Sequence, residues 1–90
     1  MNNKNFEYKT KKQMEKAGYF FVRQAKSSFP DLIAIGNDGK VMFIECKVGG
    51  RLSKEEKEKF IKLREAYKID VCLAYPEKQG KKVIAKIEAI

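Results

Sequence analysis

The sequence contains no histidine and no tryptophan, and only two prolines and two cysteines among its 90 residues. Without histidine, imidazole general bases, nucleophilic histidines and His-rich metal sites are excluded. Two cysteines and no histidine also leave a structural Cys/His zinc site without its ligands. Hydrolytic chemistry in this chain therefore falls to carboxylates, lysine, tyrosine or serine. No apolar run approaches the roughly 20 residues that cross a bilayer. The opening residues, MNNKNFEYKTKK, lack the apolar core of a secretory signal. Cys46 and Cys72 sit in apolar, strand-like runs and read as reduced core thiols of an intracellular, cytoplasmic protein, although a disulfide between them stays open at this point.

What is abundant is positive charge. Lys and Arg number 20 against 12 Asp and Glu, a formal net charge of +8. On so short a chain that excess favours an anionic partner. Nucleic acid comes first and an acidic membrane surface second; a basic surface that only keeps the protein soluble is the plain alternative. The length predicts one small domain over residues 1–90, with a thin core that buries on the order of 60–65% of the unfolded surface.

The stretch from Phe29 to Lys47, FPDLIAIGNDGKVMFIECK, carries the chemistry. It reads as two strands, Leu32–Ile35 and Val41–Lys47, joined by the turn Gly36-Asn37-Asp38-Gly39, where Asn-Gly and Asp-Gly chemistry tolerates positive φ. Side chains alternate along a strand, so Glu45 and Lys47 share one face and Cys46 points to the other. A hairpin folds Asp31 back level with Glu45. Two carboxylates and an ammonium then converge at one end of a sheet. Carboxylate oxygens suit a hard divalent cation such as Mg²⁺, and a lysine beside them can orient a water and stabilise charge on a phosphate. Isolated Glu-x-Lys triplets are common on solvated surfaces; Pro-Asp, a hairpin and Glu-x-Lys together are a narrower pattern.

The rest of the chain supplies a frame. Asn5 to Ala17 predicts a helix stopped by Gly18, with Phe6, Thr10, Gln13, Met14 and Ala17 on one face. On that wheel Glu7 lies about 20° from Met14 and can look toward the sheet, whereas Glu15 looks at water. Tyr19–Arg23 predicts a short strand. Ser53 and Glu56 form a Ser-x-x-Glu capping box that starts a helix running to about Tyr67, with Glu56, Phe60, Leu63 and Tyr67 on one face. Asp70–Tyr75 predicts a central strand ended by Pro76, and Val83–Ile87 a last strand at an edge. The expected order is α-β-β-β-α-β-β, an α/β fold whose mixed sheet is flanked by helices, with a parallel pairing across the helical crossover.

Pro30-Asp31 followed by Glu45-Cys46-Lys47 resembles the PD-(D/E)XK nuclease signature. Lys47-Val48-Gly49-Gly50-Arg51-Leu52-Ser53 is similar to the segment that follows it in VRR-NUC-type nucleases, and the layout with Gly18-Tyr19-Phe20 ahead of the motif resembles the archaeal Holliday-junction resolvases. The resemblance implies a restriction-endonuclease-like core and a Mg²⁺-dependent endodeoxyribonuclease, with Mn²⁺ as a substitute and four-way junctions as the first substrate. Flap, duplex-repair and restriction-type nucleases, or a module that binds DNA without cutting it, are the alternatives. By the same resemblance Asp31, Glu45 and Lys47 are catalytic, Glu7 on the first helix completes a metal site with Asp31, Glu45 and the Cys46 carbonyl, and Ser27 or Ser28 touches the scissile strand. Gly49, Gly50, Arg51 and Lys54 are expected to meet DNA phosphates through N–H groups and charge. At Glu56 the VRR-NUC motif has glutamine, so Glu56 reads either as a capping residue or as an acid near the metal. Cutting a four-way junction needs two incisions from a chain with one acidic cluster, which predicts a homodimer. Val83–Ile87 and the apolar end Ile87, Ala89 and Ile90 are candidate interface, or else they complete the chain's own sheet.

Overall fold

Helix α1 (Asn3–Lys16) starts where Asn2 accepts a hydrogen bond from the Asn5 N–H at 2.8 Å and stops at Ala17. Gly18 follows with φ 99°, a left-handed turn that favours glycine. Phe6, Thr10 and Met14 recur at helical spacing and are buried. The Thr10 hydroxyl donates back to the Phe6 carbonyl at 2.8 Å, so its burial leaves no donor unsatisfied. Gln13 belongs to the same face, but Ala17 at the helix end is exposed. This computed structural model describes residues 1–23 and 30–90, with only the backbone of Arg23.

The sheet consists of β1 (Phe20–Arg23), β2 (Leu32–Ile35), β3 (Val41–Cys46), β4 (Asp70–Gln79) and β5 (Lys82–Ala89), in that spatial order. Helix α2 (Lys54–Tyr67) crosses from β3 to β4, and those two strands pair in parallel. The other neighbours are antiparallel. Order and mixed pairing are those the sequence predicts, because a helix joins β3 to β4 whereas short turns join β2 to β3 and β4 to β5.

Register separates the two faces. Phe21 faces Ala34 and Leu32 faces Ile44, which faces Cys72. These residues, with Cys46, Ala74 and Ala85, pack with Phe6 and Met14 of α1 as the main core. On the opposite face α2 lies against β4, where Phe60 and Val71 are buried. Tyr67 departs from the expected packed stripe and is 69% exposed. It is the last residue of α2, ahead of Lys68 in the left-handed conformation, so no further turn continues the stripe.

Pro76 does not end its strand, as the sequence suggested; β4 continues to Gln79, with Pro76 opposite Ala85. The reason is directional. The Ala74 carbonyl accepts the Lys47 N–H at 2.9 Å on the β3 side, and two residues later the chain again faces that side. There β3 has already finished, so the missing N–H of proline costs no ladder bond.

At the other edge, β5 is partly closed. The Gln13 side chain donates to the Ala85 carbonyl at 2.7 Å and accepts the Ala85 N–H at 2.9 Å, as a neighbouring strand would. The chain end completes the monomer's own sheet. The Ile90 N–H donates to the Val71 carbonyl at 3.0 Å, and Arg64 donates to the Ile90 carbonyl. Ile87 packs against the core.

Candidate active site

The β2–β3 turn decides where the acids meet. The Gly36 N–H donates to the Lys40 carbonyl at 3.0 Å, and Gly39 takes φ 80°. The Asp38 side chain accepts the Lys40 N–H at 3.0 Å, closing the loop. Leu32 then pairs with Ile44, and the next position outward sets Asp31 opposite Glu45. Glu45 is 7% exposed, one of two buried polar residues among those described.

Two hydrogen bonds lock the pair. The Asp31 N–H donates to Glu45 Oε1 at 3.1 Å, and the Cys46 N–H donates to Asp31 Oδ2 at 2.9 Å. Each carboxylate therefore caps the backbone of the facing strand. The same fit crowds two acids together. Burial, a hydrogen bond with the Asp31 carboxyl and the Asp31 charge push the Glu45 carboxyl up to about 8, against the pull of the Asp31 N–H and Lys47. A buried glutamate held against a second carboxyl is an oxygen-donor set suited to a hard cation.

Lys47 follows directly. Its N–H extends the ladder to Ala74, and the Gly50 N–H donates to its carbonyl at 3.0 Å, so both sides of its backbone are fixed. Its Nζ lies 2.7 Å from Glu56 Oε2 in the first turn of α2. The other oxygen, Glu56 Oε1, accepts the Ser53 N–H at 2.9 Å, while Ser53 Oγ accepts the Glu56 N–H at 3.1 Å. The predicted capping box is present, and its glutamate also holds the motif's lysine. That hydrogen bond raises Lys47 and, with the Ser53 N–H, lowers Glu56 to about 2. The sequence reads Glu56 as a cap or an acid near the metal; the contact with Lys47 comes only from the tertiary structure. The available signal was an acid on the packing face of the first turn of α2.

Glu7 is half-buried on α1, where Asn3 Nδ2 donates to Oε2 at 3.4 Å, and Asn3 Oδ1 accepts the Val48 N–H at 3.2 Å. Asn3, not foreseen from sequence, thus ties the start of α1 to the loop after Lys47. Burial pushes the Cys46 thiol up to about 12, and the charges of Asp31, Glu7 and Glu45 all add to that. The thiol itself is in the core and is no anionic ligand; both cysteines are free and buried. Among the described residues no three acidic, histidine or cysteine side chains form a ready cage for a metal. Asp31 and Glu45 are placed together, and Glu7 stands on a neighbouring element.

Beyond Lys47 the chain turns outward. Gly49 and Arg51 are exposed, Gly50 has φ 77°, and Lys54 is exposed at the first position of α2. These four therefore flank the lysine at a helix N-terminus. Ser27 and Ser28 lie outside the described residues. Among the described residues no helix is long and apolar enough to cross a membrane.

No protein-family model matches the chain. The crossover junction endodeoxyribonuclease Hjc of Methanocaldococcus jannaschii is 37% identical over 67 residues, 70% of this chain and 50% of that protein. The chain thus spans half the length of the curated relative it matches. The solved structure of Archaeoglobus fulgidus Hjc, a Holliday junction resolvase from an archaeal hyperthermophile, is similar with a TM-score of 0.72 at 23% identity. That likeness covers 97% of this chain and 71% of that one, and it shows the same restriction-endonuclease-like core.

Proposed function

We propose that the chain is a PD-(D/E)XK nuclease related to the archaeal Hjc-type resolvases, a divalent-metal-dependent, structure-specific endodeoxyribonuclease acting first on four-way junctions. The observation that carries this reading is the Asp31–Glu45 pair, held by reciprocal backbone bonds beside Lys47. A pure DNA-binding surface gains nothing from a crowded carboxylate pair, which repels phosphate. The junction preference leans on the similarity to the crossover junction endodeoxyribonuclease of Methanocaldococcus jannaschii.

Asp31 and Glu45 would hold Mg²⁺, with Mn²⁺ as a substitute, and Glu7 and the Cys46 carbonyl are the further proposed ligands. When bound, the ion supplies charge at the scissile phosphate and acidifies the attacking water. Lys47 orients that water and faces the charge that builds on the phosphate oxygens. The water oxygen bonds to phosphorus, the bond to the 3′ oxygen breaks, and the products are a 3′-hydroxyl and a 5′-phosphate. Gly49, Gly50, Arg51 and Lys54 grip the flanking phosphates at the α2 N-terminus, and Ser27 or Ser28 contacts the scissile strand. A cytoplasmic location suits free thiols and a DNA substrate.

The working unit in this reading is a homodimer, which sets two sites in a fixed relation for two incisions. With β5 clamped by Gln13, the opposite edge is the better surface for a second copy. Phe20 and Val22 on β1 are 66% and 44% exposed there.

The deciding experiment incubates the purified chain with labelled four-way junction, flap and linear duplex, with and without Mg²⁺. Paired incisions in the junction that need the metal support the proposal. Cleavage of flap or duplex alone replaces the substrate, and binding without cleavage under Mg²⁺ and Mn²⁺ leaves a binding module.

A further inference from the structure

We infer that Glu56 is the positioning residue for Lys47: its carboxylate, anchored in the cap of α2, fixes where the lysine's ammonium stands. The inference rests on the proposed nuclease reading and deepens it.

A capping-box glutamate ordinarily uses its carboxylate to close the helix start. Here the two oxygens are divided. Oε1 accepts the Ser53 N–H at 2.9 Å, and Oε2 meets Lys47 Nζ at 2.7 Å. The neighbouring Glu55, also in the first turn, is exposed. The lysine backbone is fixed by Ala74 and Gly50, but four methylenes separate that backbone from the charge. A long flexible stem of this kind samples many rotamers unless its tip is held. Lys47 and Glu56 keep 31% and 27% of their side-chain surface exposed, so the tip remains reachable. An ammonium has three donors, and one bond to Glu56 leaves two for a water and a phosphate oxygen. The hairpin that carries the acids and the helix that carries the phosphate-binding N–H groups are thereby tied through one ion pair. A lysine held this way needs no reordering when DNA arrives.

The test compares Glu56→Ala, Glu56→Gln, Ser53→Ala, Lys47→Ala and the Lys47→Ala/Glu56→Ala double variant. Single-turnover cleavage of saturating junction DNA, junction affinity, thermal midpoint and the Lys47 ammonium signal by ¹⁵N NMR are measured for each. Ser53→Ala removes the other half of the same cap, so it controls for stability. Expected are a loss of about ten- to a hundredfold in the cleavage rate for Glu56→Ala, with affinity within about twofold. Glu56→Gln, which keeps an acceptor for Lys47, regains most of the rate, and Ser53→Ala keeps it while losing a similar amount of stability. The double variant is no slower than Lys47→Ala. Equal rate losses in Ser53→Ala and Glu56→Ala, or a double variant slower than Lys47→Ala by the full Glu56→Ala factor, overturns the inference. A wild type that is inactive with Mg²⁺ and Mn²⁺ overturns the nuclease reading instead. The NMR signal then decides the pair alone: an unchanged Lys47 ammonium signal in Glu56→Ala shows that Glu56 does not order the lysine.

Discussion

Asp31 and Glu45 hold each other's strands by exchange. Glu45 accepts the N–H of Asp31, and Asp31 accepts the N–H of Cys46, the residue after Glu45. Neither acid is replaceable by a smaller side chain without freeing a backbone donor. Asn and Gln, in contrast, keep an acceptor at each position while removing the charge.

Asp31→Asn and Glu45→Gln should therefore remain folded and bind junction DNA at least as well as wild type, because neither change removes a cationic contact to phosphate. Cleavage under Mg²⁺ should fall about a hundredfold or more, the scale of losing a principal electrostatic element of a site. Gel shift and single-turnover cleavage on the same preparations check it. Near wild-type cleavage by Glu45→Gln removes this pair from the chemistry.

The pH dependence of stability follows from Glu45. Its folded value, about 8, lies above the ordinary 4.5. Between those values the native state binds the extra proton, so stability from this group is complete below pH 4.5 and is lost as pH rises through 8. Thermal midpoints in EDTA should therefore fall from pH 5 to pH 8.5. Mg²⁺ should restore part of the loss at the alkaline end by binding the native state alone. Glu45→Gln should flatten this component; a variant profile that matches wild type would place its origin elsewhere.

Charge should dominate affinity. With 20 Lys and Arg against 12 Asp and Glu, log K for junction DNA should fall linearly with log salt, at a slope near −0.9 per phosphate neutralised. Arg51→Ala and Lys54→Ala should each reduce that slope by about 1. Titrations from 50 to 200 mM salt measure it, and an unchanged slope in both variants moves the contact surface off the start of α2.

Gln13→Ala should destabilise the fold by about 2 kcal/mol, because it strips partners from the N–H and carbonyl of Ala85, which is 3% exposed. Urea unfolding gives the number. In light scattering the same variant should keep the mass of wild type, whereas Phe20→Glu should shift a dimer toward one chain. Dimers that survive Phe20→Glu but not changes along β5 would return the interface to that edge.

Local chemistry determined much of this protein from sequence alone. Gly36–Gly39 dictates a tight hairpin, period-two alternation puts Glu45 and Lys47 on one face, and Ser53 with Glu56 marks a helix start; each is a constraint between residues a few positions apart. The element order and the one parallel pairing follow from connection lengths. Contacts between distant segments were decided only by the tertiary structure. Gln13 and Ala85 are 72 positions apart, and nothing near either announces that an amide will stand in for a strand. Pro76 looked like a strand end because its tolerance depends on where β3 stops. Glu56 looked like a cap because its second oxygen becomes meaningful only once the β3 end lies beside α2. Side-chain alternation and turn chemistry are properties of the backbone and travel with the sequence, whereas which acid meets which ammonium depends on how whole elements pack.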